Sequence, residues 1–130
     1  MKNLLKKAGA FIFMFACVLS LSAQNFDKIS NAIKSGDAAA LSSYIEGNVE
    51  ITVKGGSNSY SKSQAEMVLK SFLTSNQPRS FTIAHQGTSP EGSKYFIGSL
   101  VTSGGNFRTY VYAKIQGDNL VIQEIRFEDQ

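Results

Sequence analysis

The sequence predicts an α+β domain: N-terminal helices and one long helix packed on a curved antiparallel sheet. Three observations carry that prediction. An apolar stripe at helical spacing fills residues 61–75, two shorter helical stripes precede it, and after Pro78 the period falls to two. The four strand-like runs beyond Pro78 are separated by turn residues, so they read as a meander.

The first 23 residues stand apart from the fold. Lys2, Lys6 and Lys7 form a basic head, residues 8–21 are apolar, and Ser22 and Ala23 are small. This is the pattern of a secretory leader cut after Ala23, with a cut after Ser22 as the fallback, and it places the protein in the periplasm or outside the cell. The apolar run falls short of the roughly 20 residues a membrane span needs, so no stable membrane anchor is predicted. Cys17 follows Met14, Phe15 and Ala16, of which only the alanine suits a lipid-attachment site, and the chain stays apolar to Leu21. Residues 24–130 then form one domain of ordinary size.

Removing the leader changes the charge. Three of the thirteen basic residues lie in it, leaving ten against ten acidic ones. No basic field remains to attract nucleic acid. Cysteine is absent after Cys17 and histidine occurs once, which gives no disulfide framework and predicts neither metal nor cofactor.

Each element follows from local pattern. Phe26, Ile29 and Ile33 mark a first helix stopped by Gly36; Asp37 can cap a second carrying Ala40, Leu41, Tyr44 and Ile45 up to Gly47. Val49, Ile51 and Val53 alternate with Glu50, Thr52 and Lys54 as a half-buried strand. Residues 55–58, Gly-Gly-Ser-Asn, read as a turn into the long helix; they lack the lysine and spacing of a phosphate-binding loop. Ser61 and Gln64 have capping-box spacing, with Tyr60 and Ala65 placed as a hydrophobic staple. Ala65, Val68, Leu69, Phe72 and Leu73 form the buried stripe, while Lys62, Glu66 and Lys70 charge the opposite side. Pro78 ends the helix.

Strands are predicted at 81–86, 94–102, 107–116 and 120–127. A two-residue turn at Gly104-Gly105 would put Phe96 opposite Ala113, Gly98 opposite Val111 and Leu100 opposite Thr109. A three-residue turn at 117–119 would put Val111 opposite Ile125, Thr109 opposite Phe127 and Ile115 opposite Val121. One face then gathers Phe96, Leu100, Val111, Ala113, Ile115, Val121, Ile125 and Phe127 as the core. Gly98, bare in mid-strand, marks a bend that curls the sheet around the long helix.

The opposite face collects Tyr95, Ile97, Ser99, Val101, Arg108, Tyr110, Tyr112, Leu120, Ile122, Glu124 and Arg126. A solvent face carries fewer large apolar side chains than this. Tyr95, Ile97, Val101, Tyr110, Tyr112 and Ile122 therefore define a candidate interface, and no helix remains to cover it. Pairing of two copies through this outer face predicts a homodimer.

The stretch from Tyr60 to Leu73, together with Ile122-Gln-Glu-Ile-Arg-Phe near the end, resembles a family of small exported bacterial proteins catalogued as domain of unknown function 4783. The order of elements is similar to the nuclear-transport-factor-2-like (cystatin-like) superfamily. That resemblance implies a curved sheet wrapped around helices as a cone with a pocket, and it supplies no settled activity. His85, on the face of Phe81 and Ile83, would then look into the mouth of the cone, with Phe72, Phe81 and Phe96 as apolar lining for a small apolar ligand. The superfamily includes isomerases and dehydratases, whose sites need a carboxylate beside a donor in an apolar pocket. The predicted core face carries neither Asp nor Glu, and His85 has no evident carboxylate partner. The sequence thus favours a non-catalytic binding or interaction domain over a small-pocket isomerase or hydratase using His85.

Overall fold

A computed structural model of the protein describes residues 26–130, and the leader and Cys17 lie outside them. Helix α1 (described over 26–35) is followed by α2 (Ala38–Ser42), β1 (Asn48–Val53), β2 (Gly56–Ser61), α3 (Lys62–Ser75), β3 (Pro78–Thr88), β4 (Ser93–Thr102), β5 (Gly105–Gln116) and β6 (Asn119–Asp129). The strands form one sheet in the order β2-β1-β6-β5-β4-β3. Every neighbouring pair is antiparallel except β1 and β6, which run parallel.

The helix ends follow the predicted chemistry. Asp37 N–H donates to the Ala32 carbonyl at 2.9 Å and Gly36 N–H to Ile33 at 3.1 Å, the double bond of a Schellman stop. Asp37 Oδ1 in turn accepts from Ala40 N–H at 3.0 Å, opening α2. At α3 both bonds of the capping box form: Gln64 N–H donates to Ser61 Oγ, and Ser61 N–H to Gln64 Oε1. Ala65, Leu69, Phe72 and Leu73 are buried against the sheet, with Val68 half-buried at the edge of the stripe.

Three predicted connections differ, each for a physical reason. Residues 56–61 are a strand rather than a turn. Only Lys54 and Gly55 turn, both at positive φ (50° and 84°), which lets β2 fold back on β1 in regular register. The β4–β5 turn is Ser103-Gly104, because the end of α3 docks on it: Ser103 N–H donates to Gln77 carbonyl at 3.0 Å, and Gln77 N–H to Ser103 Oγ at 3.1 Å. Phe96 therefore faces Val111 and Leu100 faces Phe107. This shift of two leaves every β4 and β5 side chain on its predicted face.

The third difference does change faces. Gly117-Asp118 is a two-residue turn, and an extra residue in β6 at Gln123 then restores the expected register. Beyond that bulge Val111 pairs with Ile125, Tyr112 with Glu124 and Tyr110 with Arg126, as predicted. On the turn side Ala113 pairs with Ile122 and Ile115 with Leu120. Leu120 and Ile122 thus enter the core, Val121 turns to the side of Lys114, and Ile115 is left 37% exposed at the sheet end.

The core lies between the helices and the inner face of the sheet. Phe72 of α3 sits between two rings, stacked on Phe127 with centroids 4.3 Å apart and edge-on to Phe107 at 5.0 Å. Phe26 of α1 meets Phe96 edge-on at 4.7 Å, and Phe81 leans on the same ring at 5.8 Å. Gly98 is where Phe81 crosses the sheet: a Cβ there would stand 2.7 Å from the Phe81 ring and from the Thr82 carbonyl.

Candidate functional site

The predicted ligand set does not converge. A bulge at Ala84 shifts β3 between Ile83 and His85, so Ile83 pairs with Gly98 but His85 pairs with Ile97. His85 is exposed on the outer face of the sheet and does not look into the cone. Phe81 and Phe96 fill the space under α1 together with Phe26. Phe72 packs elsewhere in the same core, against the rings of Phe107 and Phe127. The buried polar side chains among the described residues are hydroxyls and one amide, Asn76, with no carboxylate. Nor do the described residues hold a cluster of His, Cys, Asp or Glu suited to a metal ion.

Two surfaces do have organised chemistry. On the outer face the pairings align His85, Ile97, Tyr110 and Arg126 in one row across β3, β4, β5 and β6. The next row is Gly87, Tyr95, Tyr112 and Glu124. Tyr95 lies over bare Gly87, where a Cβ would meet its ring at 2.8 Å, and stacks beside Tyr110 at 6.4 Å. Arg126 sits 5.6 Å above the Tyr110 ring and bonds Glu124 at 3.0 Å. The Glu124 hydrogen bond raises the Arg126 pKa, holding it charged. Burial, and then the Glu124 charge, push the Tyr110 phenol above its usual value. Tyr112 Oη shares a 2.8 Å hydrogen bond with buried Ser93. A dimple of about 250 Å³ opens between Ile97, Arg108, Tyr110, Arg126 and Glu128.

Of the predicted interface residues, Tyr95, Ile97, Val101, Tyr110 and Tyr112 lie on this face and are partly exposed, while Ile122 is fully buried in the core. Sequence reasoning missed Glu128 on this face and assigned His85 to the cone rather than to the outer face. The spacing of Leu120, Ile122, Ile125 and Phe127 held a signal of the β6 bulge, because a step of three between two period-two pairs requires one extra residue.

The second surface is a groove of about 580 Å³ between α3 and the β1–β2 hairpin. Ile51, Val53, Val68 and Phe72 floor it, Tyr60 and Met67 flank it, and Lys54, Asn58, Ser71 and Ser75 supply polar groups at its margin. Small residues on the inner side of β2, Gly56 and Asn58, leave this space open beside the helix. No helix among the described residues is long and apolar enough to cross a membrane.

Helices on a six-stranded mixed sheet, with one long helix against the concave side, define an α+β protein of the nuclear-transport-factor-2-like fold. The structure superposes on a putative dehydratase from that family in Streptomyces avermitilis with a TM-score of 0.62 at 11% identity, over 83% of this chain and 92% of that one. The family model for a domain of unknown function, DUF4783, matches residues 26–128, and the chain belongs to that family. A DUF4783 family protein from Bacteroides ovatus is 31% identical with a TM-score of 0.75, covering 79% of this chain and 93% of that one. Another from Bacteroides uniformis is 28% identical with the same TM-score, over 80% and 95%. A comparison with curated proteins finds no match.

Proposed function

We propose that this chain is an exported, non-catalytic interaction module that pairs with a second copy of itself through the outer face of its sheet. The observation that carries the proposal is the array of Tyr95, Ile97, Tyr110 and Tyr112. These side chains lie partly exposed on adjacent strands, and no described element covers them. Large apolar area on a sheet face is stabilised when another layer excludes water from it.

Several features suit a second copy as that layer. Arg108 and Arg126 lie beside Glu124 and Glu128, so a two-fold pairing can set each cation against an anion of the other protomer. Outside the leader the charge is balanced, and no net repulsion opposes association. The dimple beside Tyr110 can receive a tyrosine from the second copy, a buried aromatic anchor of the kind that dominates interface energetics. Export rests on the leader pattern of the first 23 residues. The isomerase-like alternative depended on His85 inside the cone, and its place on the outer face leaves that alternative without a base.

Light scattering on the processed protein tests the proposal. A dimer at micromolar concentration is expected, and Ile97→Glu, which sets a charge at the middle of the face, should give a folded monomer. A wild-type monomer at high micromolar concentration would sink the dimer.

A further inference from the structure

The two edges of the sheet are unlike, and the difference points to a second binding surface. The β3 edge is guarded: it carries Pro78, Arg79 and His85, and its pairing is broken twice, at Arg79 and at Ala84. Proline, charge and bulges are the devices that stop a sheet edge from recruiting another strand. The β2 edge has none of them. Gly56–Ser61 contains neither proline nor charge, pairs with β1 in unbroken register, and turns its other side away from the sheet. Half of its backbone N–H and C=O groups therefore face outward along an open edge.

The groove between β2 and α3 adjoins that edge. A strand added beside β2 would lie about 4.8 Å from it and send alternate side chains toward the concave side, over this groove. Ile51, Val53, Val68 and Phe72 offer those side chains an apolar floor, and Met67, 72% exposed, forms a lip of adaptable shape. Lys54 is the charged residue of the lining, and no ion pair to it occurs among the described residues.

We infer that β2 and this groove receive an extended polypeptide segment of a partner protein by strand addition. The segment has apolar residues at alternate positions and a carboxylate at the Lys54 end. Main-chain bonds to β2 hold it, the groove selects its side chains, and Lys54 sets its direction. In an antiparallel arrangement the acidic residue falls at the C-terminal end of the segment, beside the start of β2. This surface is separate from the outer face, so it can fail or stand without the dimer.

The test titrates the isotope-labelled whole protein with the blocked peptide acetyl-Val-Thr-Val-Thr-Val-Glu-amide. A second peptide of the same sequence, N-methylated at alternate positions, cannot pair through one edge. The first peptide should give saturable shifts at the Gly56–Ser61 amides and at the Met67 and Val68 methyls. Alternate β2 amides should exchange about tenfold more slowly in its presence. The N-methylated peptide should bind at least about tenfold more weakly, and Lys54→Met should weaken the first peptide several-fold. No saturable shift at millimolar peptide overturns the proposal. Equal binding of the two peptides overturns strand addition. So does a groove that saturates with sodium decanoate but not with peptide, which would mark it as a site for small amphiphiles.

Discussion

Replacing Phe72 by alanine tests the packing that holds α3 on the sheet. Phe72 is 6% exposed, stacked on Phe127 at 4.3 Å and edge-on to Phe107 at 5.0 Å. Truncating a buried phenylalanine typically destabilises by about 3–5 kcal/mol, the sum of lost transfer energy and the cavity left behind. One side of Phe72 borders the groove, so water can enter part of the vacated space and relieve the cavity contribution. That places the expected loss near the lower bound, about 3 kcal/mol. Each kcal/mol shifts the melting temperature of a domain this size by about 4–8 °C, so a fall of roughly 12–24 °C is expected. Urea melts should show a lower midpoint with an unchanged slope. Met67, five residues earlier on the helix and 72% exposed, is the internal control, and Met67→Ala should change stability by less than about 0.5 kcal/mol. A loss below about 1 kcal/mol at Phe72, or equal losses at the two positions, would refute this orientation of α3.

Two more predictions test the sheet. Gly98→Ala drives a Cβ into both the Phe81 ring and the Thr82 carbonyl, and because the carbonyl belongs to the neighbouring strand it should destabilise by about 1–3 kcal/mol; an unchanged urea midpoint would count against the close crossing. The Tyr110 phenol keeps its proton to higher pH in the folded protein than the ordinary 10.0, so its contribution to stability is complete below pH 10 and is lost as pH rises through the folded value. Tyrosinate absorbance should therefore show a late-titrating component that Tyr110→Phe removes, and superimposable high-pH limbs for variant and parent would contradict it.

Much of the architecture was legible because several local signals agreed at each element. Ser61 with Gln64, the stripe from Ala65 to Leu73, and Pro78 all pointed to one helix, and its capping box forms as the spacing implied. The strand β2 was not legible. Its residues, Gly-Ser-Asn-Ser-Tyr-Ser, lack apolar alternation because it is an edge strand with little to bury, and its Lys-Gly turn is not a usual hairpin pair. The β4–β5 turn was misplaced by one residue because docking of Asn76 and Gln77 on Ser103-Gly104, a tertiary contact, chooses between adjacent glycine-containing pairs. Those errors cost nothing in face assignment, since a register change of two preserves the alternation. Bulges were the damaging omission, for a single extra residue inverts every side chain beyond it.

The bulges at Ala84 and Gln123 also explain why the outer face is organised as it is. Had β3 continued in the register that runs from Ser80 to Ile83, Ala84 rather than His85 would stand opposite Ile97. Had β6 kept the register of its turn, Tyr110 would face Ile125 rather than Arg126, and an isoleucine would be turned out of the core. With one extra residue at Gln123, Leu120 and Ile122 on the turn side and Ile125 and Phe127 beyond it all reach the inner face. The same step brings Glu124 and Arg126 onto the tyrosines of β5, where Arg126 covers Tyr110 and Glu124 pairs with it. Keeping four apolar side chains of β6 buried thus sets the charged rim of the outer face. The bulge serves the core only where it lies between Ile122 and Ile125. Its position between Ile122 and Glu124 is what couples the packing of the interior to the chemistry displayed outside.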